Sequence, residues 1–393
     1  MVALTDQVGT LLPALDGAFP TDLVDVLTSF LREHASAVEV DLLLADYDLE
    51  ILVRIRRDEP AASTQTLPVS GSEAGRAFTS QATVVHPSEG SVVVYVPVSL
   101  RAERLGVLQV RLVEPVSPGT VAGLQQVATV VGYVIFAAGR FTDMIEQARR
   151  RKSLALDAEM QWTLLPIRAF SGPSFQIAGQ LMPAYEVGGD SFDYSVETDH
   201  LHLSVTDAMG HGLQASLLDS LAVAALRNAR RSGHDVAAQA QLAHGALRTQ
   251  FGGAQFVTGL VARVELATGA VTIVNAGHPA PYLLRAGRLT EVELPVQLPL
   301  GLFSDVRYTQ HQFLLEPGDR LFIISDGVTD AGPARAQPFG EDRLQGLLLA
   351  TADDPPHEAV RHVLRTISDY QQDAFRDDAT ALCLDWRRAD PHS

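Results

Sequence analysis

The sequence is nearly devoid of cysteine. Cys383 is the only one in 393 residues, so no disulfide framework and no cysteine-based zinc site can form within one chain, and a reducing compartment is expected. A cysteine-phosphatase signature is excluded at that residue as well. C-x5-R would need arginine where Ala389 stands. Excess basic charge is also lacking. Lys+Arg 30 against Asp+Glu 47 leaves a net charge of −17 and a pI near 5.1, the wrong sign for a nucleic-acid surface, which needs a basic footprint. The longest apolar run, residues 127–138, falls short of the ~20 residues that span a bilayer. The N-terminus has neither a basic n-region nor a small-residue cleavage site. These absences predict a cytoplasmic protein with no nucleic-acid partner and no stable membrane insertion. The length predicts two or three domains with real cores.

What is present begins with a compact α+β pattern. Thr21 or Asp22 is placed to cap a helix whose apolar positions Leu23, Val26, Leu27, Phe30 and Leu31 share one face. Val38, Val40, Leu42 and Leu44 alternate as a strand, Asp46-Tyr47-Asp48 interrupts, and residues 51–55 read as the return strand. A strand followed by D-x-D is also the start of an aspartyl-phosphate motif. That motif wants Thr or Val at its fifth position, and Glu50 is there, so a hairpin turn is expected. Residues 71–80 suggest a short helix, and residues 84–85, 91–98 and 105–113 further strands, with Pro97 limiting its strand to an edge or a bulge. No catalytic residue types cluster here, and His86 beside Pro87 reads as a loop histidine. The runs Gly71-Ser72-Glu73-Ala74-Gly75-Arg76-Ala77-Phe78, Val96-Pro97-Val98 and Arg104-Leu105-Gly106-Val107-Leu108 make residues 20–138 resemble a GAF domain. The resemblance implies a sensory or dimerisation module with a small-molecule ligand it does not name.

Residues 122–165 read as one long helix or two in line. Val127, Val131, Val134, Ala138, Phe141, Ile145 and Ala148 keep a three–four spacing. Arg149-Arg150-Arg151-Lys152 breaks the stripe, which resumes in another phase at Leu154, Ala158, Gln161 and Leu165 before Pro166. Such a phase shift marks a stutter or hinge. A signalling coiled coil joining two copies of the chain and a capping helix with a solvated basic patch account for it equally well.

The chemistry gathers in the second half. Gly188-Gly189-Asp190 precedes a strand. Leu201, Leu203 and Val205 alternate as the next strand, which ends on Thr206-Asp207-Ala208-Met209-Gly210-His211-Gly212, and the apolar run 213–229 follows as a helix. A buried strand at 320–325 ends on Asp326-Gly327, and Asp377-Asp378 opens a last strand at 381–386. Each acid alone is an ordinary turn residue. Gly210-His211-Gly212-Leu213-Gln214-Ala215 also fits a G-x-G-x-x-A dinucleotide fingerprint, but the acid expected about 20 residues on is missing from a strand end, and that reading leaves Asp326 and Asp377 unexplained. Four sets of acids at strand ends can converge. Converging carboxylates repel and raise one another's pKa. Divalent cations remove that penalty, and a pair of them about 3.5–4 Å apart activates water and clamps a phosphoryl group.

Together with Asn275-Ala276-Gly277-His278-Pro279, Pro317-Gly318-Asp319, Ser325-Asp326-Gly327-Val328-Thr329-Asp330 and Asp377-Asp378-Ala379-Thr380, in that order, these motifs resemble the SpoIIE/RsbU branch of the metal-dependent serine/threonine phosphatases, within the protein phosphatase 2C superfamily. The approach Glu159-Met160-Gln161-Trp162-Thr163-Leu164-Leu165-Pro166 is similar to the helix preceding that domain in RsbU-like proteins. The resemblance implies an α+β chain: a GAF-like domain at 1–138, a helical linker at 139–166, and an α-β-β-α sandwich of two antiparallel sheets at 167–388. It implies Asp190, Asp207, Asp326 and Asp377 as metal-binding acids, Asp207 bridging, with the Ala208 backbone carbonyl as a further ligand and two Mn2+ or Mg2+ ions. Asp378 ranks behind Asp377 as a ligand, and His211 and His278 read as structural. No residue matches the superfamily's phosphate-gripping arginine. The implied reaction is hydrolysis of phosphoserine or phosphothreonine on a phosphorylated anti-sigma-factor antagonist, gated by the GAF-like half. A catalytically weak regulatory scaffold is the alternative.

Overall fold

The computed structural model describes residues 4–55, 65–182, 188–332, 337–371 and 378–387. The chain divides into two units, Met1–Ser153 and Leu154–Ser393.

The first unit runs α1 (Leu4–Asp16), α2 (Leu23–Ala35), β1 (Ala37–Ala45), β2 (Ile51–Arg54), β3 (Thr66–Pro68), α3 (Glu73–Ser80), β4 (Val84–Ser88), β5 (Ser91–Leu100), β6 (Glu103–Val113), α4 (Pro118–Ala138) and α5 (Met144–Arg149). Its six strands form one antiparallel sheet in the order β3-β2-β1-β6-β5-β4. Strand alternation divides the apolar residues between two faces. Leu42, Leu44, Val94, Val96 and Val110 pack with α1, α2 and α4. Leu43, Ala45, Leu52 and Val107 pack with Ala74, Ala77 and Phe78 of α3. Pro97 sits beyond the last β4 partner, one residue before a register shift in the β5–β6 ladder, where its missing N–H costs nothing.

Ser117 caps α4 by accepting from the Thr120 amide at 3.1 Å, with Pro118 at the first helical position. By length and composition α4 passes for a membrane span, longer than the apolar run seen in the sequence. Its Leu124, Val127, Val131 and Ile135, however, are buried in the core of the unit.

Neither the one long helix nor the two in line expected over 122–165 is formed. Helix α4 stops at Ala138, α5 has 6 residues, and Arg150 is extended, with ψ 119°. Nor is the basic run a solvated patch. The Arg151 guanidinium meets Asp46 at 2.9 Å, Glu50 at 3.2 Å and also Asp48, all at the tip of the β1–β2 hairpin. Arg149 donates to the Ala45 carbonyl and lies 4.8 Å over the Tyr47 ring, and the Tyr47 hydroxyl bonds Glu146 of α5. The D-x-D segment is the expected hairpin turn, and its acids form ion pairs with an arginine about a hundred residues downstream.

The second unit runs α6 (Leu156–Leu164), β7 (Ala169–Ser171), β8 (Phe175–Met182), β9 (Asp190–Val196), β10 (His200–Ala208), α7 (Leu213–Arg231), α8 (Val236–Phe251), β11 (Val257–Glu265), β12 (Ala270–Ala276), β13 (Tyr282–Arg285), β14 (Arg288–Glu291), β15 (His311–Leu314), β16 (Arg320–Ile324), α9 (Asp326–Thr329), α10 (Glu341–Ala350), α11 (Pro356–Gln371) and β17 (Ala379–Trp386). One sheet is ordered β15-β12-β11-β10-β9 and the other β14-β13-β16-β17-β8-β7, with neighbouring strands antiparallel. Phe192, Leu203, Val205, Leu260 and Ile273 of the first sheet interdigitate with Ile177, Ile323, Leu382 and Leu384 of the second. Helices α7 and α8 cover the outer face of the first sheet through Leu218, Ala222, Leu226, Ala240 and Leu247. Helix α11 lies against β8 and β17 through a buried stripe including Val360, Val363, Leu364 and Ile367. The result is the expected α-β-β-α sandwich. Fully burying each such Leu or Ile stabilises by about 1.5–3 kcal/mol, and this core fixes where the strand ends lie.

Candidate active site

Antiparallel pairing brings the first residue of β9 and the penultimate residue of β10 together. Asp190 and Asp207 are direct cross-strand partners. Phe192, Leu203 and Val205 point between the sheets, so the two-residue period turns Asp190 and Asp207 to that same side. Ala208, one residue on, packs on the helix side, and its N–H donates to the Gly189 carbonyl at 3.1 Å. A Cβ on Gly189 would stand 2.9 Å from the Ala208 carbonyl oxygen. Only glycine there fits beside that oxygen without crowding it.

Asp326 arrives from the other sheet. It opens α9 at the end of β16, where the Ser325 amide donates to the Thr380 carbonyl at 3.0 Å and the Ser325 hydroxyl accepts from the Thr380 amide at 2.9 Å. A Cβ at Gly327 would fall 1.8 Å from the Asp378 carbonyl oxygen, so only glycine lets this turn pass β17. Burial raises the Asp326 carboxyl above its usual range, and Asp330 adds to the rise. Hydrogen bonds from the Gly327 amide and from Asp207 oppose it. Asp207 thus stands between Asp190 on its own sheet and Asp326 on the other. Asp377 lies outside the described residues.

Asp190 is strongly perturbed. It is 2% exposed, and its Oδ2 has no hydrogen-bond partner. Burial pushes its pKa well up, the negative charges of Asp207 and Asp378 push it further, and Ser325 and Thr380 offset part of this. An orphaned, buried carboxylate oxygen beside Asp207, with the Ala208 carbonyl near the same turn, is an all-oxygen donor set, the chemistry that suits a hard divalent cation. The residues therefore fit the metal that the sequence motifs imply. Among the described residues no group of three or more His, Cys, Asp or Glu by itself closes a metal site.

Asp378 does something else. Its Oδ2 accepts from the amides of Gly188 and Gly189 at 2.6 Å each and of Asp190 at 3.2 Å. It holds the Gly-Gly-Asp turn in place across the two sheets. Of the histidines, His211 is exposed between Gly210 and Gly212, both at positive φ. His278 is buried, and burial lowers its pKa to about 4. Asn275 holds the His278 backbone through paired 2.8 Å hydrogen bonds. Neutral and enclosed, His278 supplies no positive charge at neutral pH.

Two features escape the sequence reading. Asp193 forms ion pairs with Arg227 and Arg230 of α7 at 2.7 Å each, and Arg227 also donates to the Leu164 carbonyl at the end of α6. Asp219 of α7 is buried and accepts from the Ser191 and Thr206 hydroxyls. Nothing local marks it, because its partners lie on two other strands. The dinucleotide fingerprint is set aside: β10 does lead into α7, but it pairs antiparallel on both sides, not within a parallel β-α-β unit.

The family model for Stage II sporulation protein E (SpoIIE) matches residues 197–387. The chain is 23% identical over 239 residues to phosphoserine phosphatase RsbU of Bacillus subtilis, a match covering 61% of this chain and 71% of RsbU. It is 24% identical over 234 residues to protein IcfG of Synechocystis, covering 52% of this chain but only 37% of IcfG. The PP2C domain of SiaA from Pseudomonas aeruginosa superposes with a TM-score of 0.50 at 25% identity, over 58% of this chain and 93% of that domain.

Proposed function

We propose that this chain, a protein serine/threonine phosphatase with a SpoIIE/PP2C-type domain, works with two divalent cations, Mn2+ or Mg2+, held by Asp190, Asp207, Asp326, Asp377 and the Ala208 carbonyl. The observation that carries this is the unpartnered, buried Asp190 Oδ2 facing Asp207. When bound, such ions polarise water and balance phosphoryl charge. The protein's own part is placement. Asp207 is the shared acid between the two sheets, Asp378 fixes the turn that carries Asp190, and glycine at 189 spares the Ala208 carbonyl a clash with a side chain.

The substrate is a phosphoserine or phosphothreonine protein. The likeness to RsbU supports a phosphorylated anti-sigma-factor antagonist in a partner-switching pathway. The first unit acts as a GAF-like gate with a small-molecule ligand. Its helix α4 leaves Tyr133 and Phe136 exposed three residues apart, which supports homodimerisation along that helix. The testing experiment is hydrolysis of a phosphoserine peptide by the full chain with Mn2+, Mg2+ or EDTA, beside Asp326→Asn. Turnover that needs metal and vanishes in the variant is expected. Near-normal turnover in Asp326→Asn overturns the cation reading, and metal binding without any turnover favours the scaffold.

A further inference from the structure

Helix α7 turns one acid toward the sheet it covers. Asp219 is 1% exposed. Its Oδ2 accepts from the Ser191 hydroxyl at 2.5 Å and its Oδ1 from the Thr206 hydroxyl at 2.6 Å. Ser191 and Thr206 are themselves direct partners across β9 and β10, on the rung next to Asp190 and Asp207. Alternation sends the two hydroxyls to the helix side and the two acids between the sheets. One carboxylate thus ties both strands together, from behind, at the point where the acids emerge. Other contacts along the same edge align α7 with β9. The Ser216 hydroxyl donates to the Gly188 carbonyl at 3.2 Å, and Arg227 and Arg230 hold Asp193.

We propose that Asp219 is a positioning residue for the acidic centre, setting the spacing and heading of Asp190 and Asp207 without touching cation or substrate. This rests on the reading of those acids as cation ligands. Groups that orient ligands from behind alter metal affinity when they are removed, because the ligand then samples more orientations than the ion accepts. A buried aspartate is an uncommon residue for a helix face packed on a sheet, and it holds here because both of its oxygens are hydrogen-bonded.

The test measures Mn2+ binding to the full chain by calorimetry and by the paramagnetic resonance signal of the bound ion, with thermal unfolding and phosphopeptide turnover alongside. Asp219→Ala is expected to weaken Mn2+ binding by about tenfold or more. Asp219→Asn keeps an acceptor oxygen for one hydroxyl and an amide donor for the other, and is expected to bind nearly as the parent does. Thr206→Val removes one of the two donors with little change of shape and serves if Asp219→Ala does not fold. It too is expected to bind more weakly. Parent-like affinity in folded Asp219→Ala or Thr206→Val overturns the inference, as does a lowered unfolding temperature with unchanged affinity. Asp326→Asn separates the two levels. If it loses Mn2+ while the Asp219 and Thr206 variants do not, only the positioning role falls. If it binds as the parent does, the cation reading itself falls.

Discussion

Asp190 faces Asp207 across one rung of the β9–β10 ladder, with Asp190 buried and one of its oxygens unpartnered. In metal-free protein this pair is a source of strain that the proposed cations would offset. Asp190→Asn is therefore expected to raise the unfolding midpoint in EDTA at about pH 8, by on the order of 1 kcal/mol of stability, since active-site acids trade stability for function. The same change should lower peptide turnover at least about a hundredfold. Calorimetric unfolding and the peptide assay check both halves. A variant less stable than the parent in EDTA contradicts the repulsion argument.

Asp378 should behave in the opposite way. Removing its side chain strands three amides that now share Oδ2. Each buried donor left without a partner costs about 1–3 kcal/mol. Asp378→Ala is expected to destabilise by about 3 kcal/mol or more in urea unfolding, and Asp378→Asn, which keeps an acceptor, by clearly less.

Stability should also fall with rising pH when metal is absent. Burial lifts the Asp219 carboxyl to about 7, opposed by the Ser191 and Thr206 hydroxyls and by Arg227, with Asp378 adding to the rise. Between the unfolded value of 3.8 and about 7 the folded state holds the proton more tightly. Its contribution is therefore fully present below the unfolded value and is lost as pH climbs through about 7. Asp219→Asn removes this dependence. Urea unfolding in EDTA at several pH values should give a flatter profile for the variant than for the parent.

Much of the centre was legible because its signals are local. An alternating strand that ends on Asp and Gly, as at Leu203-Ser204-Val205-Thr206-Asp207, announces both the strand and the side its acid takes. Asp219 was not legible. On a helix of mixed composition it looks like any surface acid until its partners, 28 and 13 residues away, are seen. Strand β8, Phe-Gln-Ile-Ala-Gly-Gln-Leu-Met, has no strict alternation because it is covered on both faces, by β9 residues on one side and α11 on the other. The run 149–152 misled because its partners are distant in sequence: Arg151 meets acids at 46, 48 and 50.

That clasp can be measured. Asp46 has a fully buried side chain, while Arg151 is 38% exposed. Arg151→Ala leaves Asp46 without its guanidinium in a site where burial already raises its pKa. Partial solvent screening limits the expected loss to about 1–2 kcal/mol. Scanning calorimetry of the full chain should show it. Arg151→Lys, a single point charge that cannot fan across three carboxylates, should recover only part of the loss. No change in Arg151→Ala would mean that the clasp adds nothing beyond the Glu50 and Ile51 amides from which Asp46 already accepts.

Because each strand runs opposite to its neighbour, the sandwich has a working rim and an idle one. Asp190, Asp207 and Asp326 all sit at the first, while the Glu197–His200 turn caps the second, where the Glu197 amide bonds the His200 carbonyl. A peptide tag, a fluorophore or an added loop inserted at that turn would be separated from the acids by the full length of β9 and β10. The domain can therefore acquire new attachments there without rewriting its chemistry.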